Sequence, residues 1–205
     1  MISSFQDTMQ EFNALLELLA LLFKDPRTAV LFMLLGLASV SDYRSYKIPN
    51  LLTAGGIIFA LIYNTVVPFY RDHGFLWALG GMMVGFLLFL PCYALRMMGA
   101  GDVKLMAMVG AFLGVTDALH ATLYSFIAGG VGALIFAVYR NSLARMLVNV
   151  KGVAQMMMMS AVGGFKPDLQ IAPGKSVGKL PYGICISAGT IVYVVAKQLG
   201  YVLRP

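Results

Sequence analysis

The chain has 205 residues, of which 60% are hydrophobic and only 12% charged, against about 45–50% apolar and about 25% charged in a soluble domain. That balance excludes water as its main solvent, and long apolar runs broken by short polar loops indicate one polytopic helix bundle whose core is shared with lipid. The net charge of +6 therefore has to be read by position, and no nucleic-acid partner is expected.

Residues 12–23 carry Phe12, Leu15, Leu16, Leu19, Leu22 and Phe23 at helical spacing, but Glu11 and Glu17 interrupt the run and Lys24-Asp25-Pro26 stops it. This predicts an interfacial helix within an N-terminal segment, 1–27, with a seventh span as the alternative reading. The segment has no basic n-region leading into an apolar core and a small-residue cleavage site, so it does not look like a cleaved signal peptide. The membrane-embedded domain is expected over 28–205. Six runs within it approach the length of roughly 17–25 apolar residues that a membrane helix needs, at about 28–42, 51–69, 74–95, 103–116, 118–139 and 180–201. The fourth is short.

With six spans, the loops after the first, third and fifth share one side. They hold Arg44, Lys47, Arg96, Lys104, Arg140, Arg145, Lys151, Lys166, Lys175 and Lys179, ten of the fifteen basic residues. The positive-inside rule then puts both termini outside and these loops in the cytoplasm. The longest loop, 140–179, begins with Leu143, Met146, Leu147, Val150, Val153, Ala154 and Met157 at i, i+3, i+4, i+7 spacing. Arg140, Arg145 and Lys151 lie among them, which predicts a surface helix on anionic headgroups. Met156–Met159 reads as part of its apolar side, with a flexible substrate-gripping patch as the alternative. The second half is Gly- and Pro-rich and irregular. Its Ala172-Pro173-Gly174-Lys175-Ser176 is not a phosphate-binding loop, because position 169 is Leu and no strand precedes it.

Cys92 and Cys185 are far apart in apolar runs; they form neither a Cys-x-x-Cys knuckle nor a disulfide framework and read as inert buried thiols. No metal or cofactor is expected.

Three acids lie at or inside the spans: Asp42 ending the first, Asp102 starting the fourth, and Asp117 at the fourth-to-fifth turn. Asp117 falls on the outer side. Asp42 and Asp102, 60 residues apart, both fall at cytoplasmic helix ends and can meet. An acid at membrane depth is expensive to ionise and is a functional candidate by default. Residues 102–116 make a helix of only about 22 Å against a hydrocarbon layer of about 30 Å, so either Asp102 is recessed or the bilayer thins around it. Gly99 and Gly101, just before Asp102, allow close approach of a partner chain.

Two facing aspartates can hydrolyse a peptide bond without metal or covalent nucleophile. One carboxylate takes a proton from water and one carboxylic acid polarises the scissile carbonyl, and the close pair retains a proton between them. His73 and His120 map to the outer side, away from both, which leaves no supporting group for a Ser-His pair or a His-carboxylate metal site.

The run Asp42-Tyr43-Arg44-Ser45-Tyr46-Lys47-Ile48-Pro49-Asn50 resembles the first aspartate motif of the prepilin peptidase family, an aspartate, a basic residue and then Ile-Pro-Asn. Gly99-Ala100-Gly101-Asp102-Val103-Lys104-Leu105 resembles the second, the GxGD motif. Lys179-Leu180-Pro181-Tyr182-Gly183 is similar to the opening of the family's last helix. The resemblance implies an all-α membrane bundle with Asp42 and Asp102 catalytic. By the same resemblance Arg44, Ile48, Pro49, Asn50, Gly99, Gly101, Lys104, Pro181 and Gly183 shape the site.

It also implies a substrate with a short basic leader followed by an apolar helix, cut after a small residue at the cytoplasmic boundary of a bacterial or archaeal inner membrane, with pilus assembly machinery as a partner. Nothing matches the paired Cys-x-x-Cys motifs of the bifunctional, N-methylating members, so the chain resembles the short, peptidase-only Flp/Tad kind. Presenilin and signal peptide peptidase share the GxGD element, but the Ile-Pro-Asn tail favours the prepilin branch. Two other readings stay open: a proton-coupled transporter using the same acids, and a non-catalytic subunit of a pilus or secretion machine. The oligomeric state is not legible.

Overall fold

The computed structural model describes residues 25–67, 74–95, 97–139 and 181–201. These residues form six α-helices and no strand: α1 (Pro26–Ser45), α2 (Asn50–Val66), α3 (Phe75–Ala94), α4 (Ala100–Leu113), α5 (Val115–Tyr139) and α6 (Tyr182–Gln198). The expected surface helix at 12–23, the loop at 140–179 with its Met run, and His73 lie outside the described residues.

Local chemistry explains most of the boundaries. Asp25 caps α1 by accepting the Arg27 N–H at 3.1 Å, with Pro26 at the first helical position. The helix stops where Tyr46 turns left-handed, at φ 51°, and donates its N–H to the Asp42 carbonyl at 2.9 Å. Pro49 then starts α2. Between α4 and α5 the break is a single residue, Gly114, whose φ of +80° suits glycine. The turn expected at Asp117 therefore falls earlier, and Asp117 sits in the first turn of α5.

α4 is the hub. Ten of its 14 residues are buried, whereas each neighbouring helix buries only a stripe. Around it α1, α2, α3, α5 and α6 form a closed ring in that order, each touching the next and α6 returning to α1. The α3–α4 seam is the tightest against the hub, because glycines let backbones meet. A Cβ on Gly81 would lie 2.1 Å from the Gly110 carbonyl oxygen, and one on Gly85 would lie 2.4 Å from that of Met106. Gly189 likewise brings α6 onto the backbone of α5, where an added Cβ would lie 2.6 Å from the Ser125 Cα.

The outward faces of the ring are apolar. Met33, Ile62, Leu76, Leu123 and Ile135 are exposed, Leu76 at 79%. The buried Ser125 and Thr122 hydroxyls bond to carbonyls one turn back in α5, whereas the buried Thr190 hydroxyl and Gln198 Oε1 of α6 have no hydrogen-bond partner among the described residues. α3 and α5 are each long and apolar enough to cross a membrane.

Candidate active site

Asp42 occupies the last turn of α1 and Asp102 the first turn of α4. Both are buried, at 5% and 8% exposure, among neighbours that are mostly apolar. The two acids selected from the sequence lie at the same end of the bundle, near enough for their carboxylates to interact electrostatically.

Each is gripped by backbone N–H groups. The Asp42 Oδ2 accepts the Gly183 N–H at 2.7 Å, and the Ile184 N–H also reaches this carboxylate. Both donors belong to the first turn of α6, where the helix dipole favours an anion; the Ile184 N–H also donates to the Pro181 carbonyl, at 3.3 Å. Pro181 fixes the entry of that helix. Asp102 folds back onto its own helix start: its Oδ2 accepts the Gly99 N–H at 2.9 Å, while its own N–H donates to the Gly99 carbonyl at 3.1 Å.

The two glycines before Asp102 have different roles. A Cβ on Gly101 would lie 3.3 Å from the Ile48 Cβ, so Gly101 makes room for the buried Ile48 of the α1–α2 loop. A Cβ on Gly99 would meet the Asp102 Oδ2 at an ordinary 3.5 Å. Gly183 is the most constrained, since a Cβ there would lie 2.8 Å from the Asp42 Oδ2.

The α1–α2 loop is held over the start of α4 by side chains from both helices. The Ser41 and Ser45 hydroxyls donate to the Lys47 carbonyl at 2.8 and 3.3 Å. Lys104 Nζ donates to Asn50 Oδ1 at 2.8 Å. Arg44, Lys47 and Lys104 are exposed at this end of the molecule. Of the residues named from the sequence, Gly99 and Gly183 bond to the two acids, Gly101 packs on Ile48 beside Asp102, and Pro181 caps the helix that carries Gly183, whereas Arg44, Pro49, Asn50 and Lys104 are exposed.

Three participants were not named in advance. Ile184 contributes through its backbone, which no side-chain pattern reports, and Ser41 lies one residue from an acid that drew all the attention. Cys185, read as an inert buried thiol, is half-buried beside the site and interacts electrostatically with both aspartates; Cys92 is also only half-buried. Both cysteines are free.

Asp117 and His120 are at the other end. Asp117 pairs with Lys197 and accepts the Tyr193 hydroxyl at 2.8 Å. His120 stacks on Tyr193, centroids 5.7 Å apart, and its Nδ1 lies 2.9 Å from the Thr116 carbonyl. Among the described residues no three His, Cys, Asp or Glu side chains are grouped to hold a metal.

Fold and site together define an all-helical bundle with a pair of buried acids at one end. Residues 29–134 match the type IV leader peptidase family, and the chain belongs to that family. The matched stretch runs from α1 into α5 and includes both aspartates. Neither a curated protein nor a solved structure matches the chain.

Proposed function

We propose that the protein is a multi-pass membrane aspartic endopeptidase that removes the leader of Flp-like type IV prepilins at the cytoplasmic boundary, with Asp42 and Asp102 as its catalytic pair. The observation that carries this reading is the convergence of two buried carboxylates, 60 residues apart in sequence, within the stretch that matches the leader peptidase family.

In this reading all six helices span, and the apolar outer faces of the ring meet lipid. α4, at about 21 Å for its 14 residues, is shorter than the roughly 30 Å hydrocarbon layer. Being surrounded by the other helices, it can leave Asp102 recessed without exposing backbone to lipid. The excess of Lys and Arg in the odd-numbered loops puts the acids on the cytoplasmic side. A substrate helix can then lie in the bilayer with its basic leader in the cytoplasm and the scissile bond beside the pair.

Hydrolysis needs both acids in different protonation states. The carboxylate takes a proton from water as the water oxygen attacks the scissile carbonyl carbon, while the carboxylic acid donates to the carbonyl oxygen. Collapse of the tetrahedral species breaks the C–N bond, and the amine leaves with a proton supplied by the pair. The backbone donors on Asp42 and Asp102 fix both carboxyl planes before substrate arrives, which is the preorganisation such a step requires. With no paired Cys-x-x-Cys motifs in the sequence, methylation of the new N-terminus is not assigned.

Co-expression with a prepilin carrying a basic leader, read as a gel shift, tests the proposal. The wild type should remove the leader, while Asp42→Asn and Asp102→Asn should each leave it attached with the protein still in the membrane. Normal processing by either variant would remove that acid from the mechanism.

A further inference from the structure

α1 and α4 carry one proposed catalytic acid each, yet they touch one another only sparingly. At the site each acid is held by a backbone group of another segment or of its own helix start. A polar link between α1 and α4, relayed through α2, appears instead at the opposite end of the bundle. There the Arg27 Nη1 of α1 donates to the Asn64 Oδ1 of α2 at 3.1 Å, and the Asn64 Nδ2 donates to the Ala111 carbonyl of α4 at 3.2 Å.

Asn64 is 1% exposed, and its Nδ2 also donates to the Ala60 carbonyl at 2.8 Å. Both amide protons and the amide oxygen are therefore used, which makes this buried group an unambiguous fixture. Ala111 belongs to the last turn of α4, where carbonyls lack intrahelical partners and a cation is favoured. The Arg27 guanidinium is itself fixed, 5.4 Å from the Trp77 ring centroid, with its Nε 3.6 Å from the Asp25 carboxylate. The Trp77 indole in turn fills the space that a Cβ on Gly114 would need, at the end of α4.

The helix lengths give this link a purpose. Arg27 lies fifteen residues before Asp42 and Ala111 nine after Asp102, or about 23 and 14 Å along their axes. The deficit of roughly 9 Å is bridged by an arginine and an asparagine side chain in series.

We propose that Arg27 and Asn64 are positioning residues, a tether remote from the site that fixes the axial register of α1 against α4 and hence the spacing of Asp42 and Asp102. The catalytic consequence rests on the peptidase reading; the mechanical one does not. A misplacement of about 1 Å at the acids can cost up to about a hundredfold in rate.

The experiment uses full-length protein in liposomes, in a Cys92→Ser, Cys185→Ser background, with nitroxide labels on cysteines placed at the exposed positions 45 and 100. Asn64→Leu and the milder Arg27→Gln should shift the label distance by about 1–2 Å, the scale of helix sliding, or broaden its distribution, with helicity retained. In the unlabelled protein they should lower kcat about tenfold or more while KM stays within about twofold, and Arg27→Lys should restore part of the loss. Label distances unchanged in folded variants overturn the tether. Shifted distances with unchanged kcat overturn its positioning role. A wild type that removes no leader sinks the peptidase reading, and the label distances then decide the tether alone.

Discussion

The Gly183 N–H donates to the Asp42 carboxylate at 2.7 Å across 141 residues of sequence, so the last helix of the bundle completes a site begun by the first. The same approach leaves no space for a side chain, since a Cβ at 183 would lie 2.8 Å from the Asp42 Oδ2. Gly183→Ala should therefore lower leader removal by about a hundredfold or more, with the protein folded and inserted. Gly99→Ala is the control. Residue 99 has a negative φ that alanine accepts, and its added Cβ makes an ordinary contact, so processing should stay within about threefold of wild type. Initial rates of prepilin cleavage on both variants, with circular dichroism for folding, check the contrast.

The Lys104–Asn50 bond ties the start of α4 to the start of α2 at the exposed rim. An exposed pair of this kind contributes little to stability, about 0.5–1.5 kcal/mol at most. Its value would lie in holding the Ile48 loop over Gly101. Asn50→Ala and Lys104→Ala should each reduce kcat/KM by roughly threefold to tenfold, and the double variant should be no worse than the worse single. Full additivity in this cycle would mean that the two residues act separately.

The six helices were legible in the sequence because apolar runs broken by Gly, Pro and charged residues are the dominant local signal; every expected end lies within three residues of the observed one. The two acids were legible because an ionisable group at the edge of a long apolar run stands out, and because each opens or closes a motif that resembles the family's. The role of α4 as hub was not, because all six runs are apolar and burial by protein or by lipid leaves the same hydropathy. Nor was the grip on Asp42, which uses backbone donors of Gly183 and Ile184 that no residue type announces. Nor was the seam set by Gly81, Gly85 and Gly110, because glycine in an apolar run does not announce which neighbour its backbone will meet.

Those contacts predict opposite signs for one substitution at different places. Gly36 and Gly55 face open space, with nothing within 4 Å of an added Cβ. Alanine there should be neutral or stabilising by up to about 1 kcal/mol, the helix preference of Ala over Gly. Gly110→Ala puts a methyl group 2.1 Å from the Gly81 carbonyl oxygen, forces α3 and α4 apart, and should cost at least about 1–3 kcal/mol. Thermal unfolding in detergent, followed by size-exclusion chromatography, should separate the two classes.

Asp117 offers the sharpest test of which acids do chemistry, since it is also a partly buried aspartate in a helix first turn. Its surroundings differ from those of the other two: a lysine ammonium and a tyrosine hydroxyl saturate it, at the end of the bundle away from Asp42 and Asp102. The pair also suits both helix dipoles, with Asp117 opening α5 and Lys197 in the last turn of α6. Asp117→Asn keeps an acceptor for the Tyr193 hydroxyl but strips Lys197 of its counter-ion, which should cost about 1–3 kcal/mol of stability. Because α5 and α6 pack extensively along their lengths, the dyad end should stay in place and kcat for leader removal should remain within about twofold of wild type. A folded Asp117→Asn protein that no longer cleaves would move the chemistry to the opposite end of the bundle. Retained cleavage with a lowered melting temperature would leave Asp117 a structural acid and Asp42 and Asp102 the working pair.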